Sequence, residues 1–185
     1  MKTASRDLAL VAMFVALSFV FKELFGQIEA FTGIPGSDFA LTIVYSIIQS
    51  VAYLMYGGRR WRILAQALLI NLLYLLFIPT WIPPVLMATI LNWFIVDIVF
   101  NSFYGKFERD NRLFRWILAL QIYSWTTYSF MLLPFLALLI STEVAITYFV
   151  TIGIIWLPIT IAQAVAGSFI GYKILRRVEK IRVKG

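Results

Sequence analysis

Asp97 is the first candidate for a chemical role in this sequence, because it is the only acidic residue well inside a long apolar run. An ionisable group in such a place is costly and usually faces the protein interior or a water-filled cavity. At a rise of about 1.5 Å per helical residue, Asp97 lies about 10 Å from Tyr104, where its run ends. The same count brings Asn71, Gln121 and Gln163 to a similar depth. These four side chains predict either an interhelical hydrogen-bond network or a ligand or ion site.

A second group of polar and aromatic side chains occupies the other half of the last three apolar runs. Aromatic walls with a few fixed polar groups suit a flat, partly polar small molecule. An aromatic belt at the membrane interface, combined with core packing, explains the same residues without a ligand. The group comprises Asn92, Trp125, Tyr128, Tyr148, Thr151 and Trp156, with Trp81 in a short turn nearby.

The connection from Gly26 to Asp38 is the longest one on its side of the predicted bundle. Its glycines and Pro35 indicate a defined turn. Such a loop suits a lid over a pocket, or it is an ordinary connector. Lys22, just before the loop, either extends its ammonium group to the interface or meets a substrate carboxylate.

Ala12 and Ala16 are four residues apart in the first run and therefore share one helical face. Small residues at this spacing allow the backbone of another helix to approach closely. That helix belongs either to this chain or to a partner protein.

Six apolar runs carry these residues, and each is about as long as a helix that crosses a bilayer. They cover residues 8–25, 39–56, 63–78, 85–104, 113–140 and 144–175. The last two exceed a simple span, so we expect tilt, a proline-induced kink or a helical end that projects from the bilayer, with Pro134 and Pro158 as the break points. The sequence thus predicts an all-α membrane protein in which residues 1–185 form a single integral membrane domain.

The composition agrees with this class, since 62% of the residues are hydrophobic and only 14% are charged. A soluble domain of this length could not bury so much apolar surface in one core. A lipid bilayer is therefore an expected partner, and we expect a multi-pass protein of the cell membrane.

Lys and Arg occur in every second connection of the predicted bundle and therefore lie on one side of it. The connections 26–38, 79–84 and 141–143 contain neither residue. This pattern predicts six spans with both termini in the cytoplasm. The basic segments are the N-terminus, 59–62, 106–115 and 173–184.

The sequence contains no cysteine and no histidine, which removes thiolate and imidazole chemistry. We find no catalytic or nucleotide-binding motif, so we expect no enzymatic activity, no catalytic residue, no metal site and no cofactor. The net charge of +7 is explained by topology and by anionic lipid, and it predicts no nucleic-acid partner.

The length, the six runs, the inside termini, the long first outer loop, the basic tail and Ala12-x-x-x-Ala16 together resemble the S component of energy-coupling factor vitamin transporters. S components are substrate-binding membrane subunits. The resemblance implies that Ala12 and Ala16 dock onto a transmembrane coupling subunit, which two ATPase subunits drive.

The same resemblance implies an outer pocket for a vitamin or related micronutrient, formed by the last three spans and the outer loops. It makes Asn92, Trp125, Tyr128, Trp156 and Asp38 the expected substrate contacts. The particular ligand stays open.

Two other functions fit the residues. One is a membrane sensor or scaffold of the same fold that binds a partner protein without transport. The other is an ion-coupled transporter or channel that uses Asp97.

Overall fold

The computed structural model describes residues 2–32, 37–77, 83–110, 112–150 and 154–184. Every regular element in these ranges is a helix. The helices are α1 (Lys2–Thr32), α2 (Ser37–Tyr56), α3 (Arg62–Phe77), α4 (Pro83–Arg109), α5 (Leu113–Leu139), α6 (Thr142–Tyr148) and α7 (Ile154–Lys184).

Four helices contain segments that are long and apolar enough to cross a membrane. α2 and α3 carry shorter apolar segments, Leu41–Tyr56 and Arg62–Phe77. These lengths and compositions indicate an all-helical membrane protein, as the sequence predicted. The four long segments are Ser5–Phe25, Pro83–Arg109, Leu113–Leu139 and Leu157–Arg177.

The predicted sixth run, 144–175, covers most of α6 and the first two thirds of α7, and residues 151–153 between them lie outside the described residues. α6 begins after Ser141, whose hydroxyl accepts a hydrogen bond from the Val144 N–H at 3.1 Å, as a helix N-cap does. Pro134 and Pro158, the predicted break points, lie inside α5 and α7. A proline removes one backbone donor, and a long helix in a bundle can absorb that loss.

The basic segments of the sequence meet at one end of the bundle. Asp7, near the start of α1, forms ion pairs with Arg59 and Arg62 of the α2–α3 connection, the latter at 2.8 Å. Phe114 at the start of α5 lies 4.6 Å, between ring centroids, from Tyr172 near the end of α7. We call this end, which holds Asp7, 59–62, 106–110, 112–115 and 173–177, the basic end.

The α2–α3 connection turns sharply because it uses two glycines in the left-handed region, Gly57 at φ 59° and Gly58 at φ 70°. A Cβ atom on Gly58 would lie 2.6 Å from the ring of Tyr104 in α4. Trp61 has a positive φ of 68°, which is unusual for a residue with a side chain. This connection therefore depends on tertiary contacts that hold it in place.

The hydrophobic core consists of two clusters. The larger includes Phe14, Tyr53 and Phe100, and it fills the bundle toward the basic end. The smaller joins Ala88 of α4, Leu132 and Leu136 of α5, and Ala145 of α6.

α7 packs closely along α2, and the two helices run in the same direction. A Cβ atom on Gly167 would lie 2.6 Å from the Ile43 carbonyl oxygen, and one on Gly171 would lie 2.8 Å from that of Ile47. Real Cβ atoms do not come so close to another backbone, so this packing requires glycine at both positions.

Candidate ligand-binding cavity

A cavity of about 330 Å³ lies among the first five helices. Val85 and Tyr128 in its wall pack against the smaller core cluster, and Ile70 and Trp93 pack against the larger one. The cavity therefore lies where the two clusters leave a gap. Its lining residues are Lys22 of α1; Leu41, Thr42, Tyr45 and Gln49 of α2; Ile70, Asn71 and Tyr74 of α3; Val85, Thr89, Asn92 and Trp93 of α4; and Gln121, Ser124, Trp125 and Tyr128 of α5.

Five aromatic side chains form much of the wall. The hydroxyl groups of Tyr45 and Tyr74 are hydrogen-bonded to each other, which joins α2 to α3. The indole N–H of Trp125 donates to Ser46 Oγ at 3.3 Å, which joins α5 to α2. These bonds fix ring faces at the cavity surface, as a site for a flat molecule needs. The other two rings are Trp93 and Tyr128.

Two buried amide groups of the wall donate hydrogen bonds but accept none in the described part of the chain. Asn71 donates from Nδ2 to the Ala67 carbonyl oxygen at 2.7 Å, and its Oδ1 has no donor. Gln121 donates from Nε2 to the Ser46 carbonyl oxygen at 3.5 Å and to Ser50 Oγ at 3.4 Å, and its Oε1 has no donor. Because a carbonyl oxygen can only accept, these contacts fix which end of each amide is the oxygen.

Gln49 adds a third oxygen of this kind, since its buried Oε1 also has no donor. An unsatisfied buried acceptor costs roughly 1–3 kcal/mol. Three such oxygens belong to residues of one cavity wall, and among the described residues none of them has a donor.

Asn92 differs from these amides because both ends of its side chain have partners. Its Nδ2 donates to Ser124 Oγ at 3.1 Å, and its Oδ1 accepts from Thr127 Oγ1 at 2.7 Å. Asn92 thus connects α4 to α5 and presents a fixed polar group to the cavity.

Among the described residues that line the cavity, Lys22 is the one with a charged side chain. Asp7 of α1 lies at the basic end, and Lys22 lies 15 residues farther along the same helix. At the helical rise per residue, the Cα atom of Lys22 is about 22 Å from that end. In α2 the count from Tyr56, at the basic end, to Gln49 gives about 10 Å. In α3 the count from Arg62 to Asn71 gives about 14 Å. By this count, the Cα atom of Lys22 lies about 10 Å farther along the bundle than the Cα atoms of Gln49 and Asn71.

The predicted network of Asn71, Asp97, Gln121 and Gln163 is divided in the structure. Asn71 and Gln121 line the cavity, whereas Gln163 is a half-buried residue of α7 outside the lining set, with an unpartnered Oε1. Asp97 makes its described hydrogen bonds with Trp61, Leu64 and Asn101 and with none of the other three. Equal depth along the helices did not bring these four side chains together, because they lie on different faces.

Asp97 instead caps α3 from the neighbouring helix. Its carboxylate accepts hydrogen bonds from the backbone N–H groups of Trp61 at 3.2 Å and Leu64 at 3.0 Å, and from Asn101. The first turn of α3 thus gains the acceptor that an N-cap side chain usually supplies. The same contact holds Trp61 in its unusual backbone conformation. A smaller cavity of about 230 Å³ lies beside Asp97, with Arg60 and Ser102 also in its wall.

Three of the expected substrate contacts, Asn92, Trp125 and Tyr128, lie on the same cavity. The side chains of Asp38 and Trp156 lie outside the described part of the structure. The resemblance implied a pocket among the last three spans, but the lining residues come from α1 to α5. Sequence reasoning missed four wall residues whose polar or aromatic character inside apolar runs was the available signal: Tyr45, Gln49, Tyr74 and Trp93.

Ala12 and Ala16 lie on an exposed face of α1, together with Ala9 and Met13. The opposite face, which includes Phe14, is buried in the larger core cluster. Within the described structure, the small residues of α1 therefore do not serve packing inside this chain.

Comparison of this chain with protein-family models, curated proteins and solved structures finds no match. The function is therefore inferred from the cavity and from the exposed face of α1.

Proposed function

We propose that this protein is the substrate-binding subunit of an energy-coupling factor type importer in the cell membrane. It captures a vitamin or a related micronutrient at the outer face and delivers it inward. It crosses the membrane six times, and α6 with α7 forms the sixth crossing.

The observation that carries this proposal is the cavity. A volume of about 330 Å³ lies at the lower end of the range for small-molecule pockets. Its wall combines aromatic faces with a few polar groups, which is the usual composition of a selective pocket.

The distribution of charge supports the proposed orientation. The basic end gathers Lys and Arg from both termini and from two connections, and such residues favour the cytoplasmic side. Lys22 then lies toward the outer side, where a substrate arrives.

The exposed small-residue face of α1 supports a protein partner. Alanines there let another transmembrane helix approach closely. In this proposal the partner is a coupling subunit driven by ATPase subunits, because this chain has no motif for binding ATP.

Native mass spectrometry of the protein purified in a mild detergent tests the binding function. We expect a stoichiometric small molecule that is released on denaturation and can be identified. A protein that is empty, and stays empty after incubation with a panel of vitamins, would contradict the proposal. It would favour a sensor or scaffold, which co-purification with a non-transport partner would then identify.

The docking face is tested by replacing Ala12 or Ala16 with leucine. We expect uptake in the presence of the coupling and ATPase subunits to fall at least about tenfold, because a larger side chain separates the two helices. Ligand binding to the isolated subunit should not change. Ala162→Leu, at an exposed alanine of α7, is the matched control. Full uptake by the α1 variants would show that this face is not the docking site.

A further inference from the structure

We infer that the smaller cavity beside Asp97 binds the headgroup of an anionic phospholipid, whose acyl chains lie along the exposed apolar surface of α4. The inference concerns a second site and does not depend on transport. It uses three features: an arginine without a protein partner, an excess of positive charge around the opening, and an apolar surface that continues from the opening.

The smaller cavity lies between the α2–α3 connection and the second half of α4. It shares no lining residue with the larger cavity. Its volume of about 230 Å³ equals the share of about eight waters in the liquid, which leaves room for a phosphate with a short alcohol. Its wall consists of Arg60 and Trp61 from the connection and Asp97, Ile98, Asn101 and Ser102 from α4.

Arg60 is the cation that this cavity offers to a ligand. The residue is exposed, and no hydrogen bond or ion pair joins it to another residue in the described part of the chain. Arg59 and Arg62 differ from it, because both pair with Asp7. A guanidinium group matches the oxygens of a phosphate through two parallel N–H donors, so Arg60 suits the phosphate of a headgroup.

Ser102 is the second exposed polar residue of the wall. Its hydroxyl donates to the Ile98 carbonyl oxygen at 2.8 Å, so its oxygen keeps lone pairs that can accept. A headgroup that carries an alcohol O–H beyond the phosphate supplies such a donor. A trimethylammonium headgroup has no donor for Ser102.

The charge around the opening favours an anion. The carboxylate of Asp97 is fully buried and accepts hydrogen bonds from two backbone N–H groups and from Asn101, which offset its charge. Arg60 has no such partner. Lys106 lies one helical turn beyond Ser102 on the exposed face of α4 and adds a second cation on the same side.

An apolar surface continues from the opening, away from the basic end. Ile98 is 44% exposed, and Phe94, one turn earlier in α4, is 39% exposed. Phe94 stacks against Trp61, at 6.2 Å between ring centroids, and Trp61 is itself 51% exposed. Tryptophan rings often lie at the headgroup level of a membrane. A phospholipid with its phosphate at Arg60 would therefore place its chains on this surface, whereas a water-soluble phosphate would leave it uncovered.

The headgroup is tested by native mass spectrometry of the purified full chain, titrated with palmitoyl-oleoyl phosphatidylglycerol. Phosphatidylcholine with the same chains is the reference. We expect the first phosphatidylglycerol to bind at least about fivefold more tightly than the first phosphatidylcholine. Arg60→Gln should weaken the first phosphatidylglycerol about two- to fivefold. Arg177→Gln, at an exposed arginine of α7 that is not part of this wall, is the matched control and should change it less than about twofold.

The position of the lipid is tested by fluorescence. Phosphatidylglycerol with brominated acyl chains quenches tryptophans that its chains contact. We expect one bound lipid to quench the wild-type protein, and we expect Trp61→Phe to lose most of that quenching. Trp116→Phe, at a half-buried tryptophan of α5 near the same end, should keep it. An excess of glycerol 3-phosphate should not displace the lipid, because it lacks the chains.

Three outcomes would overturn the inference. Equal effects of Arg60→Gln and Arg177→Gln, or equal binding of the two lipids, would show a diffuse attraction of charge only. Unchanged quenching in Trp61→Phe would place the lipid elsewhere. Displacement by glycerol 3-phosphate would assign the cavity to a soluble phosphate compound. None of these results involves the larger cavity, so the proposed function stands or falls separately.

Discussion

Buried polar groups are hydrogen-bonded differently near the basic end and in the cavity wall. At the basic end the carboxylates are well supplied with donors: Asp97 accepts from two backbone N–H groups and Asn101, and Asp7 pairs with Arg59 and Arg62. In the cavity wall Asn71 and Gln121 give their donors to the protein and keep their acceptors unpaired, whereas both ends of Asn92 have partners. The unpartnered oxygens are Gln49 Oε1, Asn71 Oδ1 and Gln121 Oε1.

The unpartnered buried atoms at and near the basic end have a more mixed character. Among the described residues they are Arg62 Nε, Gln66 Nε2 and Trp116 Nε1, which donate, Asn101 Oδ1, which accepts, and the Tyr53 hydroxyl, which can do either. The comparison teaches that the contacts of Asp7 and Asp97 hold helices together, whereas the cavity wall carries acceptors that no described donor reaches.

Removing the carboxylate of Asp97 should have the largest effect on stability. Asp97→Ala deprives α3 of its cap and releases the strained backbone at Trp61. We expect the free energy of unfolding to fall by about 2–4 kcal/mol. Thermal unfolding in detergent, followed by circular dichroism, measures this loss. Asp97→Asn keeps one acceptor and should cost roughly half as much; if Asp97→Ala cost nothing, the basic end would not be organised as described.

Steric expansion between α2 and α7 should have the next largest effect. Gly167→Ala places a Cβ atom 2.6 Å from the Ile43 carbonyl oxygen, so the helices must separate. We expect a loss of about 1–3 kcal/mol in the same unfolding measurement. Gly105→Ala is the matched control, because a Cβ atom there meets nothing within 4 Å. The control should be neutral or stabilise by about 0.5–1 kcal/mol, since alanine is the better helix former. Equal effects at the two positions would contradict close packing of α7.

Removing an unpaired acceptor from the cavity should have the smallest effect on stability. Asn71→Leu discards the Oδ1 atom that has no donor and gives up one hydrogen bond to Ala67 within α3. These two changes nearly cancel, and we expect the ligand-free protein to keep its unfolding free energy within about 1 kcal/mol. Ligand affinity should nevertheless fall. A loss comparable to that of Asp97→Ala would remove the contrast between the two regions.

Much of the helical framework could be predicted from the sequence. The apolar runs 39–56, 63–78 and 113–140 match α2, α3 and α5 within two residues at each end. Such runs are bounded by glycines, prolines and charges that are visible without a structure. The end of α6 within the last run was not predictable in this way, because Phe149 and Val150, which follow it, are as apolar as the rest.

The candidate site was predicted only in part, for a geometric reason. Depth along a helix follows from residue counting, so Asn92, Trp125 and Tyr128 could be placed at related levels. The direction in which each side chain points could not be obtained, because these helices are apolar on all sides and carry no amphipathic signal. Asp97 and Gln121 were therefore grouped together, although they face different neighbours.

The close contact between α2 and α7 also bears on how a molecule reaches the cavity. Ser46 and Ser50 lie against Gly167 and Gly171 on one side, and on the other they accept hydrogen bonds from Gln121 and Trp125 of the wall. Separating α2 from its neighbours would break both its close packing against α7 and its hydrogen bonds to the cavity wall. An entry route is therefore expected on the side of α1 and Lys22, with α2 and α7 as the stationary frame against which that side moves.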